Sequence, residues 1–281
     1  MMSFLTDFFS FSFLLRALIG GSLVALCASL LGTSLVLTRY AMIGDGLSHV
    51  AFGALAVAMA LSASPLAVSI PIVMAAAFLL LRMSGSGRVR ADAAIAMLSS
   101  VSMAAGIVVI SLSTGMNTDL YSFMFGSILS MTRSDLTLAV ILSLVVALLF
   151  VFSYNNLFAI TFDENFARAS GIRAGLWNGL LAILASVTIV LGMRMMGAIL
   201  ISSLIIFPPL SAMRLSGSFK GVTLVSALSS LVCFVTGLFL SYGLDLPSGP
   251  VIVLVNAFCF LLFALISLIR KRSGPGPLPK P

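Results

Sequence analysis

The run LTLAVILSLVVALLFVFSY, residues 136–154, contains no charged side chain, no glycine and no proline. As an α-helix, a run of this length would extend about 28 Å, close to the roughly 30 Å hydrocarbon thickness of a bilayer. Comparable apolar blocks recur along nearly the whole chain. Together they predict an all-α, polytopic membrane bundle of about nine transmembrane helices (eight to ten). Besides 136–154, the predicted helices lie near residues 13–37, 44–62, 66–82, 92–113, 174–194, 197–213, 221–242 and 249–269.

The composition of the chain agrees with this interpretation. Its 281 residues are 60% hydrophobic and 8% charged, with a mean hydropathy of +1.23, far from the usual values for a soluble domain. Residues 1–272 are therefore interpreted as one transmembrane domain, and residues 273–281, rich in proline and glycine, as a tail. The net charge of +7 is not concentrated in one patch, so nucleic acid is not an expected partner.

The distribution of basic residues predicts the orientation. If consecutive spans alternate in direction, twelve lysines and arginines lie on one side of the membrane and three on the other. The positive-inside rule then puts the N-terminus outside and the C-terminal tail in the cytoplasm. Acidic residues either make the external entrance attractive to cations or are simply helix-end charges. The acids predicted on that side are Asp7, Asp119, Asp135 and Asp245.

Asp45 and His49 place polar chemistry in an apolar segment, and His49 is the single histidine of the chain. Residues four apart share one face of a helix. Because an unpartnered charge is costly in a membrane, acids and histidines there are candidates for ion pathways or proton relays. From spacing alone, the pair could equally be hydrogen-bonded groups that hold two helices together.

A second polar segment, residues 161–171, predicts a short cytoplasmic helix. Thr161 and Glu164 have capping-box spacing, acidic residues occupy the first turn, and Gly171 lies where the helix would end. Phe162 and Phe166 fall on one side. Such a helix either packs on the membrane surface or docks into a partner, and the residues alone do not separate these possibilities.

The chain has no GxxxxGK[ST] loop and no GxSxG motif, and one histidine cannot form HExxH. It is therefore not expected to be an enzyme, and any energy from ATP would come from a separate ATPase chain.

Five segments, in this order, resemble the membrane permease of bacterial ABC importers for zinc and manganese. They cover RYAMIGDGLSH at 39–49, DLYSFMFGS at 119–127, residues 161–172, GAILISSL at 197–204 and DLPSGP at 245–250.

This resemblance implies an importer permease in the bacterial plasma membrane, surrounded by lipids. It would pair with a second permease copy, most simply as a homodimer, with cytoplasmic ABC ATPase subunits and with an external metal-binding protein. Asp45 and His49 would contact the transported ion, Zn²⁺ being favoured over Mn²⁺ or Fe²⁺ because imidazole suits zinc. No permanently bound cofactor is expected.

The resemblance also identifies the 161–172 segment as a coupling helix that docks on the ATPase. The residues expected to act in coupling are Asp163, Glu164, Phe166, Arg168 and Gly171. Asp119 and Asp245 are expected to have an entrance or gating role, unless they only cap helices or stabilise turns.

Two other functions remain open at this point. One is a proton-coupled secondary cation transporter in which Asp45 and His49 relay protons. The other is a membrane scaffold whose 161–172 helix recruits a soluble partner.

Overall fold

The structure is a computed structural model that describes residues 10–38, 40–85, 90–112, 126 and 128–273. These residues form ten α-helices and a short 3₁₀ helix at Ile128–Ser130. The α-helices are α1 (Ser12–Leu37), α2 (Ile43–Ala60), α3 (Pro65–Gly85), α4 (Ala91–Leu112), α5 (Arg133–Phe162), α6 (Glu164–Ala169), α7 (Ala174–Met196), α8 (Ala198–Leu215), α9 (Phe219–Leu244) and α10 (Ser248–Ser273).

Within this described part of the chain, nine helices are long and apolar enough to cross a membrane, all except α6. The predicted helical membrane bundle is thus confirmed. Most helix bounds agree with the predicted blocks to within a few residues. The exception is α5, which continues past residue 154 to Phe162.

The 30 residues of α5 correspond to a helix of about 45 Å. The hydrocarbon core is only about 30 Å thick, and the uncharged run 136–154 alone accounts for about 28 Å, so we infer that the C-terminal end of α5 extends beyond it. That end carries α6, so the short helix lies outside the apolar layer. We refer to this end of the bundle as the α6 end.

The predicted cap of the short helix is wrong in one detail. Thr161 belongs to the last turn of α5, and the N-cap of α6 is Asp163, whose Oδ1 accepts a hydrogen bond from the backbone N–H of Phe166 at 2.9 Å. Packing explains the shift, because Leu157 and Ile160 are buried against the rest of the bundle and the helix continues to Phe162. The chain becomes extended at Asp163 and starts a new helix there.

α1 lies at the centre of the bundle and packs against α5, α7, α8 and α9. Its approach to α8 is especially close. Pro208 and Pro209 lie within α8, and because Pro209 has no N–H, the carbonyl of Ile205 lacks its usual helical donor. Gly32 of α1 faces that carbonyl so closely that a Cβ atom would overlap it. Glycine is therefore required at this crossing.

Serine side chains join α1 to α9. The hydroxyl of Ser230 donates to the carbonyl of Ala25 at 3.0 Å, and that of Ser226 donates to the carbonyl of Ser29 at 3.4 Å. Hydrogen bonds of this kind satisfy polar groups that would otherwise be unpaired in an apolar bundle. They tie α9 to the central helix.

The predicted tail lies outside the described residues beyond Ser273.

Candidate functional site

Asp45 and His49 lie together on the first two turns of α2. His49 Nε2 and Asp45 Oδ2 are 3.6 Å apart, an ion-pair distance rather than a hydrogen bond. The His49 side chain is 22% exposed and that of Asp45 is 46% exposed. The predicted shared face is present, and the carboxylate is open to additional groups.

Glycines hold α2 tightly against its neighbours on its other sides. A Cβ at Gly46 would overlap the side chain of Ile95 in α4, and one at Gly53 would lie 2.5 Å from the carbonyl oxygen of Ser102. Gly44 faces Ile205 of α8. α2 also packs against α3 and α7. The exposure of Asp45 and His49 shows that the side carrying the pair is partly open.

Ser48, between the two residues, does not contribute to this site. Its hydroxyl is buried and donates to the carbonyl of Gly44 at 2.7 Å. It is a helix-internal group and needs no outside partner.

The pair supplies one carboxylate and one imidazole, which suits zinc and also manganese or ferrous iron. Within the described residues, no group of three or more His, Cys, Asp or Glu side chains could hold a metal ion. Two protein ligands leave most coordination positions to water or to another molecule. Such an incomplete shell suits an ion that must bind and then leave.

The predicted coupling residues are held together by α6. Its Ala167 is fully buried in a small apolar cluster with Ile160, Ala174 and Phe219. Gly171 ends the turn after α6 with φ +85°, a conformation that favours glycine. The helix is therefore anchored on one side.

The opposite side of α6 points to solvent. Phe166 is 67% exposed, and Arg168 forms an exposed i,i+4 salt bridge with Glu164, with Nη2 and Oε1 2.5 Å apart. A salt bridge of this kind adds little to stability. An exposed phenylalanine between paired charges has the features of a docking surface.

The two predicted entrance residues have different outcomes. Asp119 lies outside the described residues. Asp245 is the exposed C-cap of α9, in the left-handed conformation with φ 52° and ψ 43°. Aspartate tolerates this conformation, but a negative charge at a helix C-terminus is unfavourable to the helix dipole. Its entrance role stays a prediction.

Asp135, one of the acids predicted at the external entrance, has a structural role instead. It forms a capping box with Thr132, and its Oδ1 lies 3.4 Å from Arg194 Nη2 of α7. Asp135 is thus a partly neutralised helix-end charge rather than a free acidic group at an entrance. The Thr132–Asp135 spacing could have identified the cap, whereas Arg194 is too distant in sequence to have been found.

The comparisons with known proteins agree with this architecture. The family model described as the ABC 3 transport family matches residues 10–267. A protein of Thermotoga maritima named "Probable metal transport system membrane protein" is 34% identical over 261 residues, which cover 92% of each chain. "Manganese transport system membrane protein MntC" of Halalkalibacterium halodurans is 30% identical over 277 residues, covering 97% of this chain and 94% of the relative.

A solved structure has the same overall fold. It is described as PsaBC from Streptococcus pneumoniae in complex with Fab, and it matches with a TM-score of 0.83 and 28% identity. The match covers 93% of this chain and 94% of the other. Because the family model spans the chain from the start of α1 into α10, the protein belongs to the ABC 3 transport family.

Proposed function

We propose that the chain is the permease subunit of an ATP-driven importer that carries a divalent transition-metal ion across the bacterial plasma membrane. The observation that carries this proposal is the partly exposed Asp45–His49 pair on one helix of a protein in this family. A carboxylate and an imidazole at this distance would give a passing cation two ligands from adjacent turns.

A second permease copy would complete the site. The Asp45 carboxylate is 46% exposed while α4 and α8 fill other sides of α2. A second copy facing this side would add its own carboxylate and imidazole. The ion would then be held by four protein ligands that separate when the two copies move apart.

Two observations favour different metals. The imidazole of His49 favours zinc, which is our sequence prediction. The name of the H. halodurans relative favours manganese. Both ions accept a mixed oxygen and nitrogen ligand set, so a direct competition experiment is needed.

ATP hydrolysis would occur on a separate ATPase that docks on α6. The exposed Phe166 and the buried Ala167 support this role. The aromatic side chain could bind the ATPase, and the packed helix could transmit movement of the ATPase to α5 and α7. The basic residues support the α6 end as cytoplasmic. Those described at this end are Arg82, Arg90, Arg168, Arg173, Arg214, Lys220 and Arg270, against Arg16, Arg133 and Arg194 at the other.

The test is uptake of zinc, manganese and iron into vesicles that contain the permease and its ATPase. Asp45→Asn and His49→Ala should each reduce uptake by at least the roughly 10–100-fold that loss of an outer-shell metal partner costs. Asp92→Asn is the matched control, because Asp92 is also a first-turn aspartate, in α4, and is exposed. It should leave uptake unchanged.

Normal uptake by both site variants would remove the metal-binding role of the pair. Uptake that needs a proton gradient but no ATPase would instead favour a secondary transporter.

A further inference from the structure

A cavity of about 860 Å³ opens at the α6 end of the bundle. Its walls come from the last turns of α1, α3 and α5, the first turns of α7, and α6. Along α7 it reaches from Gly175 to Ala182, a depth of about 10 Å. The headgroup and interfacial layer of one leaflet is only about 5–8 Å thick, so a cavity of this depth could hold a headgroup together with the first part of the lipid below it.

Polar groups without partners surround this cavity. The Thr161 hydroxyl oxygen is buried and has no hydrogen-bond partner. Among the described residues, the side chains of Tyr40, Arg82 and Asn178 also make no hydrogen bond or salt bridge, although all three line the cavity. Buried polar groups are normally satisfied, so the orphaned Thr161 hydroxyl, beside the half-buried Tyr40 and Asn178 and the exposed Arg82, favours a polar ligand.

The charge of the cavity indicates the sign of that ligand. Arg168 is neutralised by Glu164. Arg82, in the last turn of α3, remains as the uncompensated charge among the described lining residues. A phosphate group could accept hydrogen bonds from the Arg82 guanidinium, the Asn178 amide and a hydroxyl.

The rest of the lining is apolar and includes Ile43, Phe78 and Leu181. A free anion would gain nothing from these walls, whereas the glycerol and first methylenes of a lipid would be desolvated against them. We propose that this cavity binds the headgroup of an anionic phospholipid, with Arg82 holding the phosphate. The ligand would contact both α6 and the residues that lead into α2.

The test uses the full-length permease in detergent, incubated with phosphatidylglycerol and observed by native mass spectrometry. Arg82→Gln should reduce the bound phosphatidylglycerol about fivefold, which corresponds to about 1 kcal/mol for one basic residue near anionic lipid. Lys220→Gln is the matched control, since Lys220 is an exposed cation at the same end and does not line the cavity. It should bind lipid like the wild type.

A second variant tests the cavity without changing charge. Gly175 lines the cavity, and a Cβ built on it meets nothing within 4 Å, so Gly175→Trp should place an indole at the cavity and displace the lipid. Gly217 is equally open but lies outside the cavity, and Gly217→Trp is the control.

Three results would overturn the proposal. They are equal lipid retention by Arg82→Gln and Lys220→Gln, equal binding of phosphatidylcholine, and displacement of the lipid by inorganic phosphate at matched concentration. If Arg82→Gln and Gly175→Trp weaken association with the ATPase but leave lipid binding unchanged, the proposal is also overturned, in favour of a protein segment in the cavity. Because lipid binding is measured without transport, this outcome is independent of the proposed import function.

Discussion

At the residue scale, glycines determine how closely α2 can approach α4. Gly53 and Gly106 face each other, and a Cβ on Gly106 would lie 2.9 Å from the Cα of Gly53. Small residues at such crossings let two membrane helices pack backbone against backbone. The position of the Asp45–His49 pair therefore depends on residues that carry no functional group.

Gly53→Ala should separate these helices and lower the free energy of unfolding by about 1–3 kcal/mol, the usual cost of overpacking. Thermal unfolding of the permease in detergent measures this change. Gly175→Ala is the matched control, because its new Cβ would meet nothing within 4 Å. That variant should be neutral or more stable by up to about 1 kcal/mol, since alanine is the better helix former. Equal effects of the two variants would contradict the close-packing argument.

At the element scale, α6 owes its position to α5 more than to its own six residues. A helix this short is not stable alone. It is held because α5 extends beyond the apolar layer and because Ala167 packs into a cluster that includes Phe219. Its exposed face is thus presented at a constant position, as a docking element requires.

Phe166→Ala should weaken association with the ATPase by at least tenfold, because burying one large apolar side chain at an interface contributes about 1.5–3 kcal/mol. Co-purification and titration of the ATPase against the permease in nanodiscs measure the loss. Phe11→Ala is the control, since Phe11 is an exposed phenylalanine at the other end of the bundle. If both variants bind the ATPase like the wild type, α6 is not the docking element.

At the scale of the whole molecule, the ion pair between Asp135 and Arg194 joins the ends of α5 and α7 on the side opposite α6. Asp135 is 8% exposed, while the Arg194 side chain is 39% exposed. Solvent therefore screens part of the attraction, and the pair should be worth less than a fully buried one.

Arg194→Gln should lower the free energy of unfolding by about 1–2 kcal/mol, because it leaves the buried Asp135 carboxylate without its cation. A double-mutant cycle with Asp135→Asn, followed by thermal unfolding, isolates the coupling between the two side chains. Arg133→Gln, at an exposed arginine two residues away, should change little. Additive effects of Asp135→Asn and Arg194→Gln would show that the ion pair does not stabilise the bundle.

Much of the fold could be predicted because membrane spans are a property of local composition. A bilayer requires about twenty apolar residues per helix, so the blocks in the sequence predict where helices lie. The i,i+4 spacing likewise predicted the shared face of Asp45 and His49. The cap of α6 was misplaced because the Thr161–Glu164 spacing fits a capping box locally, whereas burial of Ile160 keeps Thr161 inside α5 and leaves Asp163 as the N-cap.

The sequence by itself thus determined the approximate number and positions of the spans, the short helix between α5 and α7 and the polar pair in α2, whereas it left α5 several residues too short. The tertiary structure alone decided which faces of those spans meet. Helices that are apolar all round carry no periodic signal for a buried side. The Asp135–Arg194 pair and the cavity formed by Tyr40, Arg82, Thr161 and Asn178 bring together residues that are distant in the chain. Only the packing of separate helices creates them.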